Sequence, residues 1–223
     1  RERILPNRTF QLIIEVDSGF AAVSGVRTKY VEINTAPIQS VMGAVFHPGG
    51  ARAFVDASAD EFHNEMVPLD LVWGSGGKKL CERLRETACP HARIKVLESA
   101  LVARLKPHTV LHSAVCHGLN EFQRVPLNRG VLKVIKDAGL SRRRFGQLFR
   151  EQVGLTPKLY YRLHRFHWVV EQVGSGRFLD WSDIAIIAGY SDQAHLAHEF
   201  RDFAGLAPSA FLAADRACHV RMS

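Results

Sequence analysis

A chain of 223 residues with 47% apolar content is long enough for one large domain or two ordinary ones around a buried core. It holds no uninterrupted apolar run of about 18 residues, so hydropathy excludes a membrane-spanning helix. The formal charge of +7 is uneven: residues 129–223 carry 14 Lys/Arg against 9 Asp/Glu, and residues 1–128 carry 15 against 13. The basic second half favours a polyanionic partner for that half, with nucleic acid as the first candidate. The four cysteines, Cys81, Cys89, Cys116 and Cys218, are sparse and without tight ligand spacing, which fits a reduced, cytoplasmic interior. A first residue Arg1 in place of an initiator Met suggests that native sequence precedes it.

In chain order, residues 10–16, 30–33 and 38–46 are rich in Val, Ile and Phe and predict strands. Turn signals separate them at "DSG" (17–19), and "HPGG" (47–50) closes the third, because Pro48 cannot continue a central ladder. Ser58 with Glu61 three residues on has the spacing of a capping box. From about residue 77 the period turns helical, with Leu80 and Leu84, then Ile94, Leu97, Leu101 and Leu105, at three- or four-residue steps. Residues 108–119 predict a further apolar helix. The stretch 120–130 has few apolar residues and contains Pro126, which places a domain boundary there and divides the chain into 1–122 and 123–223.

The second half predicts helices at about 130–138, 141–152, 157–173, 181–188, 192–203 and 208–214. Glycines 139, 154, 174, 176, 189 and 205 separate them, and Pro157 and Pro208 sit in first turns, where a missing N–H costs nothing. Shifting the chain by 51 residues lays "SRRRFGQLFREQVGLTP" (141–157) on "DQAHLAHEFRDFAGLAP" (192–208). Ser141 meets Asp192, Phe149-Arg150 meets Phe200-Arg201, Gly154 meets Gly205 and Pro157 meets Pro208; upstream, Ile135 meets Ile186. Each copy is a short helix, a tight turn and a capped helix, the outline of a helix-turn-helix, and residues 157–173 join the two.

On the helix beginning at Ser141, Phe145, Leu148 and Phe149 share one face. Arg143, Gly146, Gln147 and Arg150 share the opposite one, flanked by Arg142 and Arg144. No acid lies between Ala138 and Arg150 to neutralise these arginines. They crowd the end of the helix where the macrodipole disfavours cations, which points to an external anion. Arginine can grip guanine O6 and N7, glutamine can grip adenine N6 and N7, and the first turns of the second helix of such a unit enter the major groove. The second copy presents Gln193, Ala194, Ala197, His198 and Arg201, a chemically quieter face. The first unit is therefore expected to supply most base discrimination. An ordinary solvated basic face is the bland alternative for any arginine run; the duplication and its capped helices favour DNA.

Residues 128–214 resemble the DNA-binding domain of the AraC/XylS transcription regulators. The resemblance is most specific over "DIAIIAGYSDQAHLAHEFRDFAGLAPSAF" (183–211) and extends through "LSRRRFGQLFREQVGLTPKLYYRLHRF" in the first unit. Val134 departs from the small alanine that Ala185 keeps in the second unit. "VMGAVFHPGGARAFV" and "LDLVWGSGGKKLCERL" resemble the sensor-like domain that precedes this module in some family members. The resemblance implies two recognition helices in successive major-groove segments, with Arg142, Arg143, Gly146, Gln147, Gln193, Ala194, Ala197 and His198 at bases. Arg144, Arg150, Lys158 and Arg201 are expected at phosphates. It implies double-stranded DNA as partner, and admits RNA polymerase, a small-molecule effector of the first domain, and a homodimer.

The expected architecture is an α+β domain followed by an all-α DNA-binding domain with two helix-turn-helix units on a long linker helix. Neither a cofactor nor a metal is expected. His108, His112 and Cys116 have the spacing of one helical face, yet lie among Val, Leu and Ala as core residues would. The different-class rival is a DNA-repair or metal-responsive protein with an AraC-like module. Repair chemistry needs an activated cysteine, and neither Cys89 with His91 nor Cys116 with His117 has helpers nearby. "GSGG" (74–77) before Lys78-Lys79 lacks P-loop spacing and reads as a helix entry. No enzyme is expected. Trp73 is assigned to the first core, and Trp168 and Trp181 to packing in the second half.

Overall fold

The structure, a computed structural model, describes residues 2–34, 40–106, 109–124, 130–175 and 180–217. Six strands occupy the first third: β1 (Glu2–Ile4), β2 (Phe10–Glu15), β3 (Ala21–Ser24), β4 (Val31–Ile33), β5 (Val41–Phe46) and β6 (Met66–Pro68). They form an antiparallel sheet of order β5-β2-β3-β6 and a β1-β4 ribbon. Strand β2 shows the reason for the register. Phe10, Leu12 and Ile14 point inward and are buried, with Leu12 opposite Val23 on one side and Ala44 on the other. Three helices close this layer, α1 (Leu69–Trp73), α2 (Ser75–Glu86) and α3 (Pro90–Arg104). Trp73 belongs to this core as expected, its indole N–H donating to the Phe54 carbonyl at 2.9 Å.

The strand expectation was right for β2, β4 and β5, whose described part begins at Ser40; residues 38 and 39 lie outside the described residues. It omitted β1, β3 and β6. The capping-box pair is present, with the Glu61 carboxylate accepting from the Ser58 N–H at 2.9 Å. It opens only a 3-10 turn, Ala59–Phe62, and Asn64 in the left-handed region then turns the chain into β6.

The remaining helices are α4 (Ser113–Phe122), α5 (Gly130–Asp137), α6 (Arg142–Val153), α7 (Pro157–Gly174), α8 (Trp181–Ile187), α9 (Gln193–Ala204) and α10 (Pro208–Ala217). The helix expected over 108–119 begins at Ser113. His112 is its N-cap, its Nδ1 accepting from the Ala114 N–H at 3.1 Å, so His112 and Cys116 do not form a ligand pair on one helical face. His108 lies outside the described residues. Helix α4 packs on α5, α6 and α7, with Phe122 against Phe149, Tyr160 and Tyr161 and the Phe145 ring over Gly118. Trp168 and Trp181 pack against the core half-buried, and Val134 and Ala185 are both fully inside. No helix among the described residues is long and apolar enough to cross a membrane.

Helix α7 sets two histidines against carbonyls, one from each half. Its His167 Nε2 lies 2.8 Å from the Pro6 carbonyl, and its His164 Nε2 lies 3.1 Å from the Gln123 carbonyl. A carbonyl only accepts, so each Nε2 carries a proton. Burial first, and the Arg8 charge second, lower both rings from 6.5 to about 4. Below pH 6.5 the unfolded chain binds protons that the folded chain refuses until about pH 4. This contribution is complete above 6.5 and is lost as pH falls toward 4. Replacing His167 by Gln, which keeps a donor for Pro6, should remove roughly 2–3 kcal/mol of acid-induced destabilisation between pH 7 and pH 4. Thermal melts across that window check it; an unchanged pH slope in His167→Gln would acquit the residue.

Candidate nucleic-acid interface

The two carboxyl-terminal repeats correspond element by element in their local chemistry. Helix α5, a turn through Gly139 (φ 74°) and α6 correspond to α8, a turn through Gly189 (φ 76°) and α9. Ser141 caps α6 by accepting from the Arg144 N–H at 3.2 Å. Asp192 caps α9 by accepting from His195 at 2.7 Å, a bond that holds its carboxyl below the usual range. Both helices end on left-handed glycines, Gly154 and Gly205. Helix α7 starts with Thr156 as cap and Pro157 in its first turn. The alternation seen in the sequence is realised in α6: Phe145, Leu148 and Phe149 are buried, and Arg142, Arg143, Arg144, Gln147 and Arg150 are exposed.

Arg142, Arg143, Gly146, Arg150 and Lys158 line one concavity of about 1140 Å³ between α5, α6 and the first turn of α7. No ion pair among the described residues engages any of these cations. Gly146 is half-buried at its wall, and a methyl there would meet nothing, so the helix backbone is open to a close approach. Arg144 and Gln147 stand outside the concavity in a chain along the helix. Arg144 Nη1 donates to Gln147 Oε1 at 3.4 Å, and Gln147 Nε2 donates to Glu151 at 2.8 Å, which leaves Gln147 one further N–H and one lone pair. On α9, Gln193, Ala194, His198 and Arg201 are exposed and Ala197 is half-buried. His198 has only a loose carboxylate neighbour, Asp202, at 3.9 Å.

Two features went unanticipated. The Thr156 cap opens α7 onto the same concavity, adding a helix N-terminus to Arg150 and Lys158; the "LTP" string carries that signal. The second is a buried ionic network behind α9. Glu199, 2% exposed, accepts from Arg162 Nε at 2.7 Å and from Arg165 Nη2 at 2.8 Å, while the Arg165 guanidinium lies 3.7 Å over the Tyr190 ring. Burial and the Glu199 charge push the Tyr190 hydroxyl well above its ordinary value.

Cys81 is buried, which pushes its thiol up. The described residues hold no group of three or more His, Cys, Asp or Glu arranged to bind a metal ion. Cys218 lies outside them.

Residues 134–214 match a family described as a helix-turn-helix domain, and residues 1–68 match a domain of unknown function (DUF6597). No curated protein matches the chain. Among solved structures it is similar to ToxT from Vibrio cholerae, at 12% identity over 94% of this chain and 88% of that one, with a TM-score of 0.46. It is likewise similar to an apo form of a ToxT variant, at 10% identity over 94% and 87%, with a TM-score of 0.45. ToxT bound to (E)-4-(8-methylnaphthalen-1-yl)but-3-enoic acid matches at 11% identity over 95% and 88%, with a TM-score of 0.40. Those identities and scores are too low to carry a residue's role or a ligand across to this chain.

Proposed function

We propose that residues 134–214, matched as a helix-turn-helix domain, are of the AraC type and that the protein is a sequence-specific, DNA-binding transcription regulator. Helices α6 and α9 enter successive major-groove segments of one duplex. Arg142, Arg143 and Gln147 lead the base reading, with Gly146 allowing close approach; Gln193, Ala194, Ala197 and His198 form the weaker second reader. Arg144, Arg150, Lys158 and Arg201 hold phosphates. The observation that carries the reading is the un-neutralised cationic wall of α6 and α7, exposed at the first turns of a capped helix in a duplicated helix-turn-helix. Solubility alone would be served as well by mixed charge at i, i+4 spacing. The amino-terminal half, packed on both units, supplies regulation.

Titration of the full chain against duplexes recovered from a random pool, repeated across a salt series, tests this. The expected result is a preferred site with two elements in adjacent major grooves. Its log–log salt slope should be about −4, from four phosphate contacts. Binding that is equally weak on all duplexes and indifferent to salt would end the proposal.

A further inference from the structure

The amino-terminal half touches the two recognition helices at equivalent places. In the 51-residue repeat, Gly154 and Gly205 are the same position, the left-handed cap that ends each recognition helix. Gly154 packs under Val26 and the Ala59 carbonyl, so closely that an added methyl would lie 3.0 Å from that oxygen. Beside it the Ser58 hydroxyl, which donates to Asp60 Oδ1 within its own turn, lies 3.4 Å from the Glu151 carbonyl. Gly205 packs under the Tyr30 ring. There the Tyr30 N–H donates to the Phe203 carbonyl at 3.2 Å, and Arg3 Nη1 donates to the Ala204 carbonyl, also at 3.2 Å.

The last carbonyls of a helix have no partner within it, and water normally serves them. Here donors from the other half serve α9, and one is a cation at the negative end of the helix dipole. Arg3 is fixed in turn, stacked 4.4 Å over Tyr30 and paired with Glu32 at 2.8 Å.

Val26 and Tyr30 stand four residues apart on one loop, and that loop is stiff. Asn7 and Arg27 exchange backbone bonds at 3.1 Å, Asn64 Oδ1 accepts from the Thr28 N–H at 2.8 Å, and the Asn64 N–H donates to the Val26 carbonyl at 2.9 Å. One pinned loop therefore spans from the end of α6 to the end of α9, while α7 joins them on their other flank.

We propose that residues 25–30, with Arg3 and the Ser58 turn, are a spacer that sets how far apart the two recognition helices stand. Tyr30 and Arg3 then act as positioning residues for DNA reading, and the amino-terminal half determines the spacing between the two elements of the site. The inference rests on the DNA-binding reading above. Two helices held this way tolerate one element spacing, because a single inserted base pair displaces the second element by about 3.4 Å and a tenth of a turn.

The test uses the full chain with Arg3→Ala and Tyr30→Ala combined, and Tyr30→Phe as the conservative variant. Three duplexes are compared: the selected site, the same site with one base pair inserted between its elements, and the site with its second element scrambled. The double variant should lose about tenfold on the selected site and cease to distinguish it from the inserted one. On the scrambled duplex it should match the wild type, and Tyr30→Phe, which keeps the ring and the N–H, should match it on all three. Equal loss on all three duplexes would reduce these residues to general stabilisers and overturn the spacer. So would retained spacing discrimination in the double variant. A wild type that prefers no duplex fails the DNA-binding reading itself, an outcome visible before any variant is made.

Discussion

Replacing Glu199 by alanine should cost about 3–5 kcal/mol of folding stability, more than the loss of any exposed residue on α9. The carboxylate is 2% exposed and is the acceptor for both Arg162 and Arg165. Arg165 is itself 8% exposed, and its other contacts are the Gly189 carbonyl at 3.0 Å and the aromatic rings of Tyr190 and Tyr161. None is an anion. Without Glu199 a guanidinium is left buried with no opposite charge, and most of the cost is that uncompensated cation. The first unit shows the alternative solution, since its equivalent of Glu199 is Leu148, buried at 5% beside Phe145 and Phe149. Combining Glu199→Leu with Arg165→Met should therefore recover most of the loss. Urea unfolding measures both; a Glu199→Ala cost below about 1 kcal/mol would mean that water reaches Arg165.

That network was within reach of the sequence. The repeat aligns Glu199 with a core leucine, which places an acid on the inward face, and Arg162 and Arg165 lie on the helix that joins the units. The exposed basic face is the louder signal, and it masks the inward acid. What the sequence carried well was local and periodic: the caps Ser141 and Asp192, the glycine stops, and the i, i+3, i+4 pattern of Phe145, Leu148 and Phe149.

What it carried poorly depends on partners distant in the chain. Strand β3 reads "AAVS", too small and short to announce itself, and exists because β2 and β6 flank it. Strands β1 and β6 are three residues each and take their conformation from β4 and β3. Apolar residues also misled where burial is decided by neighbours. Ile135 is 7% exposed, yet Ile186, its repeat equivalent, is 69% exposed, and Ile94 and Leu105 of the helical run are 51% and 53% exposed. The loop that spans the ends of α6 and α9 has no sequence signature, because its rigidity comes from Asn7 and Asn64, 20 and 36 residues away from their partners.

The Arg142→Ala, Arg143→Ala double variant should weaken binding to the selected duplex on the order of a hundredfold or more, with little effect on stability. Both side chains are exposed and engage no ion pair among the described residues, so folding loses at most about 0.5 kcal/mol. The distinction that matters is between reading bases and holding phosphates. Removing a base-reading side chain at Arg143 relaxes preference at one position and leaves the salt slope nearly unchanged, whereas Arg150→Ala should weaken all duplexes alike and reduce the slope by about 1. The Gln193→Ala, His198→Ala pair supplies the comparison from the second unit. Lacking a cationic grip, it should cost severalfold less than the arginine pair. A uniform loss across sequences in the arginine variant would move Arg142 and Arg143 to the phosphates. Base discrimination would then fall to Gln147 and to α9, reversing the order of the two readers.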